Sequence, residues 1–170
     1  MQNISKNACS SQTVIIRPAT HSDIVELLAL LEVLFSIEAD FVFDSEKQTS
    51  GLEMLLSSKK DCALVAESLT DNRVIVFCTV QTLISTAEGG LVGLLEDLVV
   101  DGNLRGLGVG TKLLDAALDW AGNNGLKRLQ LLADKHNQPA LAFYKKHGFD
   151  TTQLICLRHL YIIPQDSIVS

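Results

Sequence analysis

A glycine-rich turn between a predicted strand and a predicted helix is the segment of this sequence best suited to binding an anion. It reads R-G-L-G-V-G from Arg105 to Gly110 and follows the apolar run L-L-E-D-L-V-V. Glycines at such a turn let backbone N–H groups approach a phosphate closely, and the start of the helix adds unpaired donors and the positive end of its dipole. The turn predicts a pyrophosphate site. On these residues alone, a turn that only tightens the joint between strand and helix is the alternative.

The spacing of this turn excludes two common nucleotide sites. It is not the G-x-G-x-x-G fingerprint of dinucleotide-binding domains, and no acidic residue closes a following strand at the distance that a ribose needs. It is not a phosphate-binding loop of the G-x-x-x-x-G-K-[ST] type either, because Gly102 and Gly106 lead to no Gly-Lys-Ser or Gly-Lys-Thr.

Two adjacent carboxylates, Glu96 and Asp97, precede the turn on the same predicted strand. A carboxylate can hold an ammonium group and receive its proton. Neighbouring strand residues point to opposite faces unless a bulge intervenes, so only one of the two is expected to face a cleft. The alternative for either residue is an ordinary ion pair on the strand.

A second motif lies downstream, where N-x-x-A-x-x-F-Y-x-x-x-G-F runs from Asn137 to Phe149. With the R-G-L-G-V-G turn in this order and separation, the chain resembles the GNAT superfamily of acetyl-CoA-dependent N-acetyltransferases from about Leu94 to Phe149. The opening I-I-R-P-A-T-H-S-D-I is similar to the start of that family as well. The L-E-D triplet followed by an apolar run most resembles the diamine and polyamine acetyltransferases.

This resemblance implies an α/β (mixed α+β) fold with a central mixed sheet of six or seven strands and helices on both faces. Two central parallel strands would splay apart and admit the pantetheine arm of acetyl-CoA, the co-substrate. The backbone of Leu98 and Val100 would pair with the pantetheine amides. The implied coenzyme contacts near the phosphates are Arg105, Gly106, Leu107, Gly108, Val109, Gly110 and Thr111, with Asn137 as a further contact or simply a helix N-cap.

The resemblance also implies the chemistry. Glu96 would take the proton of an amine, directly or through water, and the amine would attack the thioester without an enzyme nucleophile. Tyr144 would protonate the departing thiolate, because a phenol keeps its proton at neutral pH. On the residues alone, Tyr144 can equally cover the core beside Phe143. A backbone N–H near Leu98 would meet the oxyanion.

The acceptor is expected to be a small cationic amine. The segment between the first two helices places acids beside aromatics, among them Phe35, Glu38 and Asp40, and such groups hold cations through charge and cation–π contacts. An ordinary solvated acidic loop is the alternative. Two other functions stay open, namely acetylation of protein N-termini or lysines, and a regulatory acyl-CoA-binding module without turnover.

Hydrophobic periodicity predicts the elements that position these residues. A strand from Val14 to Arg17 leads through a capping box at Thr20 into a helix, and Asp44 or Ser45 caps a second helix that runs to about Leu56. An antiparallel meander follows, and then strand, turn and helix. The remaining predicted elements are strands at 62–67, 73–84, 91–100 and 128–133, helices at 109–121 and 139–147, and two short strands near the end.

The composition of the 170 residues narrows the class of protein. A net charge of −6 is the wrong sign for a nucleic-acid-binding protein, and no apolar run approaches the length of a membrane span. Four well-separated cysteines predict reduced thiols and a cytoplasmic location, and the scattered histidines predict no metal site. We expect a flexible tail at 1–12 and one domain at 13–170. Dimers are common among the proteins that the chain resembles, so a homodimer is expected too, and an apolar edge in the last strands would support it.

Overall fold

The structure, a computed structural model, describes residues 14–38, 40–100 and 106–161. The chain divides into two compact units, Met1–Leu131 and Leu132–Ser170. The first contains, in chain order, β1 (Val14–Pro18), a 3-10 turn (His21–Asp23), α1 (Ile24–Phe35), α2 (Ser45–Ser57), β2 (Cys62–Ser68), β3 (Val74–Ser85), β4 (Gly90–Val100), α3 (Val109–Asn123) and β5 (Leu129–Leu131). The second contains α4 (Gln138–Lys146).

The five strands form one mixed sheet in the order β1-β2-β3-β4-β5. The first four strands pair antiparallel with their neighbours, and β5 pairs parallel to β4. This confirms the predicted meander followed by a strand–helix–strand unit. The sheet has fewer strands than the six or seven predicted, because residues 150–161 contain no strand. A strand needs a neighbouring ladder for its N–H and C=O groups, and this segment pairs with none in the part of the chain described.

Helices lie on both faces of the sheet, as predicted. On one face α1 and α2 bury a cluster of side chains with β2, β3 and β4, and its centre is the fully buried Phe77. Neighbouring residues of a strand point to opposite faces, so Leu64 and Cys78 belong to the other face, where α3 lies against β2 and β3. The apolar residues of the first cluster are Leu27, Leu30, Leu31, Leu52, Val65, Val74, Phe77 and Val99.

An ion-pair network joins the end of β1 to the start of α1. The Arg17 guanidinium donates to both carboxylate oxygens of Asp23 at 2.8 Å and to Glu67 on β2 at 2.6 Å. Asp23 also accepts from the backbone N–H of Thr20 at 2.7 Å, which is the predicted capping box. The arginine holds the pKa of Asp23 down at about 2, because it stabilises the charged carboxylate.

Gly93 lies in the short parallel pairing of β4 with β5, at a position with little room for a side chain. A Cβ atom on Gly93 would lie 2.6 Å from Leu129 Cδ1 and 2.7 Å from Leu126 Cδ2, so a side chain would collide with both. Without one, the backbone N–H of Gly93 donates to the carbonyl of Arg128 at 2.8 Å. A side chain at this position would therefore have to displace the ends of these two leucines.

Candidate active site

A β-bulge interrupts β4 at the predicted carboxylate pair. Phe77 pairs with Val99 and Thr79 pairs with Glu96, so one residue of β3 faces two residues of β4, Asp97 and Leu98. Asp97 has a backbone φ of +57°, which is in the left-handed region. Aspartate tolerates that conformation better than most side chains do. The extra residue changes which way the strand's side chains point beyond Glu96.

Because of the bulge, Glu96 and Asp97 reach the same face of the sheet. Gln81 Nε2 donates to Glu96 Oε2 at 2.6 Å, and Thr79 Oγ1 donates to Asp97 Oδ2 at 3.3 Å. Thr79 and Gln81 are two residues apart on β3, so they share one face, which is the face of Phe77 and α1. We expected only one of the two carboxylates to face a cleft. The structure instead places Glu96 and Asp97 on the same side of the sheet.

The neighbourhood of Asp97 raises its pKa to about 6. Desolvation contributes most, because burial disfavours the charged carboxylate. Repulsion from Glu96 and from Glu38 adds to the rise, and the hydrogen bond from Thr79 opposes it. Glu38 follows the end of α1, so the predicted acceptor-binding acid belongs to the same electrostatic neighbourhood as the strand pair.

The other predicted acceptor-binding residues lie in the same inter-helix segment. Phe35 ends α1, packs against the core cluster and stacks on Phe41 with ring centroids 5.3 Å apart. Asp40 lies exposed two residues after Glu38. The segment therefore carries aromatic and acidic groups, of which Glu38 is near enough to Asp97 to raise its pKa.

The glycine turn has the geometry of an anion cradle. Gly106 and Gly108 have φ values of +79° and +78°, and a Cβ on either would meet nothing within 4 Å, so the backbone is open on that side. Gly108 caps α3, and its carbonyl accepts from Lys112 N. The N–H groups of the residues before Lys112 thus have no partner within the helix. The predicted contacts in this turn are Gly106, Leu107, Gly108, Val109, Gly110 and Thr111, while Arg105 lies outside the described residues.

One edge of β4 is suited to pairing with an extended ligand. Its parallel pairing with β5 ends where Leu95 meets Leu131, yet β4 continues to Val100. Leu98 and Val100 therefore lie on a stretch that has no strand on its β5 side among the described residues of this unit. An extended amide chain can add to such an edge as a further strand does.

The second unit contains the downstream motif. Asn137 Oδ1 accepts from Ala140 N at 3.1 Å, so the helix-cap interpretation of Asn137 is confirmed. Tyr144 lies among aromatic rings, with centroids 5.4 Å from Phe143 and 5.8 Å from Phe149. The roles of Asn137 in coenzyme binding and of Tyr144 as an acid stay predictions.

Thr79 and Gln81 were not among the residues predicted for the site. Both belong to β3, whose buried half is otherwise apolar from Val74 to Val80. Two polar side chains spaced two apart at the end of such a run are a signal for one polar strip on one face. That signal was available in V-I-V-F-C-T-V-Q.

The described residues contain neither a metal-binding cluster nor a membrane-spanning helix. Across 14–38, 40–100 and 106–161, no group of three or more His, Cys, Asp or Glu residues has a metal-binding arrangement. Within the same ranges, no helix combines the length and the hydropathy that crossing a bilayer requires.

The mixed sheet and the glycine turn at the start of α3 agree with what comparison with known proteins shows. Residues 29–149 match the model of the acetyltransferase (GNAT) family. The chain belongs to this family and is an acyl-CoA N-acyltransferase. The predicted resemblance to GNAT enzymes is thereby confirmed, and a non-catalytic module is not the best account of the chain.

Individual relatives agree with this placement. The chain is 30% identical over 138 residues to an uncharacterized N-acetyltransferase of Bacillus subtilis (strain 168), YhfO, with 79% of this chain and 89% of that protein covered. An aminoglycoside acetyltransferase from an uncultured soil metagenomic sample is 25% identical with a TM-score of 0.67, covering 89% of this chain and 97% of that one. The aminoglycoside N-acetyltransferase AAC(6')-Iy, solved with CoA, has a TM-score of 0.75 at 16% identity, covering 94% and 100%, and shares the fold.

Proposed function

We propose that the protein transfers an acetyl group from acetyl-CoA to a primary amine and that small cationic amines are its preferred acceptors. The observation that carries this proposal is the pair of carboxylates, Glu96 and Asp97, on one face of β4, with Glu38 close enough to raise the pKa of Asp97. Three acids in one neighbourhood produce a negative potential that attracts and orients an ammonium group. The similar structures include an aminoglycoside acetyltransferase, and aminoglycosides are small cationic amines.

In the proposed reaction, Glu96 takes one proton from the ammonium group, directly or through one water. The neutral nitrogen then forms a bond to the thioester carbonyl carbon, and a backbone N–H near Leu98 donates to the resulting oxyanion. When the oxyanion collapses, the carbon–sulfur bond breaks and Tyr144 gives its proton to the thiolate. Tyr144 regains a proton from the nitrogen, directly or through water, which leaves the neutral amide, and Glu96 releases the proton it took to solvent. The products are the acetylated amine and CoA.

The coenzyme would be held by backbone groups. The turn from Gly106 to Gly110 and Thr111 offers N–H donors and the positive end of α3 to the pyrophosphate, and the edge of β4 at Leu98 and Val100 offers its N–H and C=O groups to the pantetheine amides. Support for Arg105, Asn137 and Tyr144 comes from their places in the two sequence motifs.

The first experiment measures thiol release from acetyl-CoA with a panel of amines. The panel contains diamines, spermidine, an aminoglycoside, amino acid amides and uncharged aromatic amines, and a no-substrate control corrects for the protein's own four cysteines. Faster release with the cationic amines supports the proposal. Faster release with the uncharged amines contradicts the preference. No release with any amine, while acetyl-CoA still raises Tm, points instead to a protein N-terminus or lysine as the acceptor.

Two variants test the assigned roles. Glu96→Gln should lower kcat about 100-fold with basic amines and much less with aromatic amines, which are unprotonated at neutral pH and need no base. Glu53→Gln, an exposed glutamate on α2, is the matched control. Tyr144→Phe should lose turnover while CoA still binds. Unchanged turnover in either variant would remove that residue from the mechanism.

The proposal includes assembly and location. We propose one domain at 13–170 that forms a homodimer in the cytoplasm. Large apolar side chains between 154 and 161 are exposed, including Leu154 and Leu157 at 86% each, and an exposed apolar segment favours association. Cys62 and Cys78 are buried free thiols, which suits a reducing compartment. Light scattering of the purified protein tests the dimer, and a monomer at micromolar concentration contradicts it.

A further inference from the structure

The side chain of Gln81 makes the shortest described contact with the proposed base. Its Nε2 atom lies 2.6 Å from Glu96 Oε2. In the β3–β4 ladder Gln81 pairs with Leu94, two residues before Glu96, so the amide reaches diagonally along the same face. Both side chains are partly buried. A hydrogen bond to an ionised oxygen in such a place is stronger than one between neutral groups.

This contact limits where the carboxylate of Glu96 can be. A glutamate side chain has three rotatable bonds, and on an open strand edge it would occupy several rotamers. Gln81 holds one oxygen and leaves Oε1 to meet the amine. The bulge also brings the like-charged Asp97 to the same face. Because like charges repel, the two carboxylates would turn apart if nothing held Glu96 in place.

The neighbouring donor on β3 serves the second carboxylate. Thr79 Oγ1 donates to Asp97 at 3.3 Å and lies two residues from Gln81. Each carboxylate of β4 therefore has its own neutral donor on β3. A neutral amide donor positions the acid without supplying a positive charge that would compete with a cationic substrate.

We propose that Gln81 is a positioning residue for acetyl transfer, which fixes Glu96 in the geometry that accepts the amine's proton. The inference rests on the proposed function of Glu96. It assigns to β3 a part in the reaction that neither of the two family motifs contains. The role is exerted through Glu96, so its effect should depend on the presence of that carboxylate.

The kinetic test replaces the donor while keeping the size of the side chain. Gln81→Met removes the amide, and Gln81→Glu replaces the donor by a second carboxylate. Gln130→Met is the matched control, because Gln130 pairs with Leu94 from the opposite side, on β5, and carries the same chemical change. With the best amine of the panel, kcat/KM for the amine should fall about tenfold in both Gln81 variants, while the KM for acetyl-CoA and the control stay unchanged.

A double-mutant cycle separates positioning from folding. In a Glu96→Gln background, Gln81→Met should change kcat/KM by less than about twofold, since the group it positions is gone. An equal loss in both backgrounds would show a merely structural role and overturn the inference. Wild-type activity in both Gln81 variants would also overturn it. Wild-type activity in Glu96→Gln itself would refute the proposed base, and the inference about Gln81 would fall with it.

A spectroscopic measurement tests the contact without any acceptor. The side-chain amide signals of Gln81 in a ¹H–¹⁵N spectrum are assigned by their loss in Gln81→Met. They should shift strongly in Glu96→Gln and stay in place in Glu53→Gln. Gln81 amide signals that do not shift in Glu96→Gln would overturn the inference even if the amine panel yields no activity.

Discussion

Replacing Asp97 by asparagine should make the protein more stable at neutral pH and leave its stability unchanged near pH 4. Asparagine keeps the size of the side chain, accepts the hydrogen bond from Thr79 Oγ1 and tolerates a φ of +57°. What it removes is a carboxylate whose pKa is raised to about 6 by desolvation and by repulsion from Glu96 and Glu38. The variant therefore isolates the energetic cost of an ionised group at the bulge.

The size of the effect follows from linkage. The carboxyl has a pKa of about 6 in the folded protein and about 3.9 in the unfolded chain. Between these values the folded state binds more protons, so this group makes the free energy of unfolding fall as pH rises. The fall is complete above pH 6 and amounts to about 3 kcal/mol. The asparagine variant lacks this penalty, so its advantage should grow from pH 4 to above pH 6.

Urea unfolding at half-unit steps from pH 4 to 8 measures this difference. Asp119→Asn, an exposed aspartate on α3, is the matched control and should show no such pH dependence. An advantage of Asp97→Asn that is constant across the pH range would mean that it comes from backbone conformation rather than charge. That result, or no advantage at all, would refute the account of Asp97.

Three further predictions concern other parts of the chain. Gly93→Ala should lower the free energy of unfolding by about 1–3 kcal/mol, because the added Cβ would be in close contact with neighbouring side chains. Gly51→Ala, inside α2 where a Cβ meets nothing, should raise the free energy of unfolding by about 0.5–1 kcal/mol. Urea titrations of the two variants measure both changes. The wild type should lose about 2 kcal/mol as pH falls from about 4 to 2, because Asp23 must be protonated, and unfolding curves of Arg17→Met should lack this acid branch. Gly108→Ala should raise the Kd for CoA about tenfold in calorimetry, because alanine is strained at a φ of +78°, and an unchanged Kd would remove the turn from the phosphate site.

Most of the sheet and the four α-helices of the described residues could be predicted because their signals are local. Apolar spacing and capping residues placed α1 between Thr20 and Phe35, and Asp44 caps α2 through hydrogen bonds to Glu46 and Lys47. The two short strands predicted near the end are absent from residues 150–161, although many of these residues are apolar. Strand formation depends on a partner ladder elsewhere in the chain, and periodicity carries no information about that partner.

The candidate site was predicted in its residue types and missed in its geometry. The L-E-D triplet and the glycine turn are the basis for predicting Glu96 as the base and a phosphate site at Gly106–Gly110, and both roles stay predictions. The bulge that turns Asp97 to the side of Glu96 depends on the pairing of β4 with β3, which a single strand sequence does not determine. Gln81 was missed for the same reason, since its contact with Glu96 crosses between strands.

The brevity of β5 has a consequence for how the protein opens. Only three residues of β5 join the sheet, whereas β3 and β4 pair over most of their lengths. Local unfolding costs least where few bonds must break, so the amides of Leu129–Leu131 should exchange with deuterium well before those at the centre of β3. This is the strand beside which β4 is left unpaired after Leu95. Slower deuterium uptake by this strand on addition of CoA would then report binding of the coenzyme beside β4 before any acceptor is known.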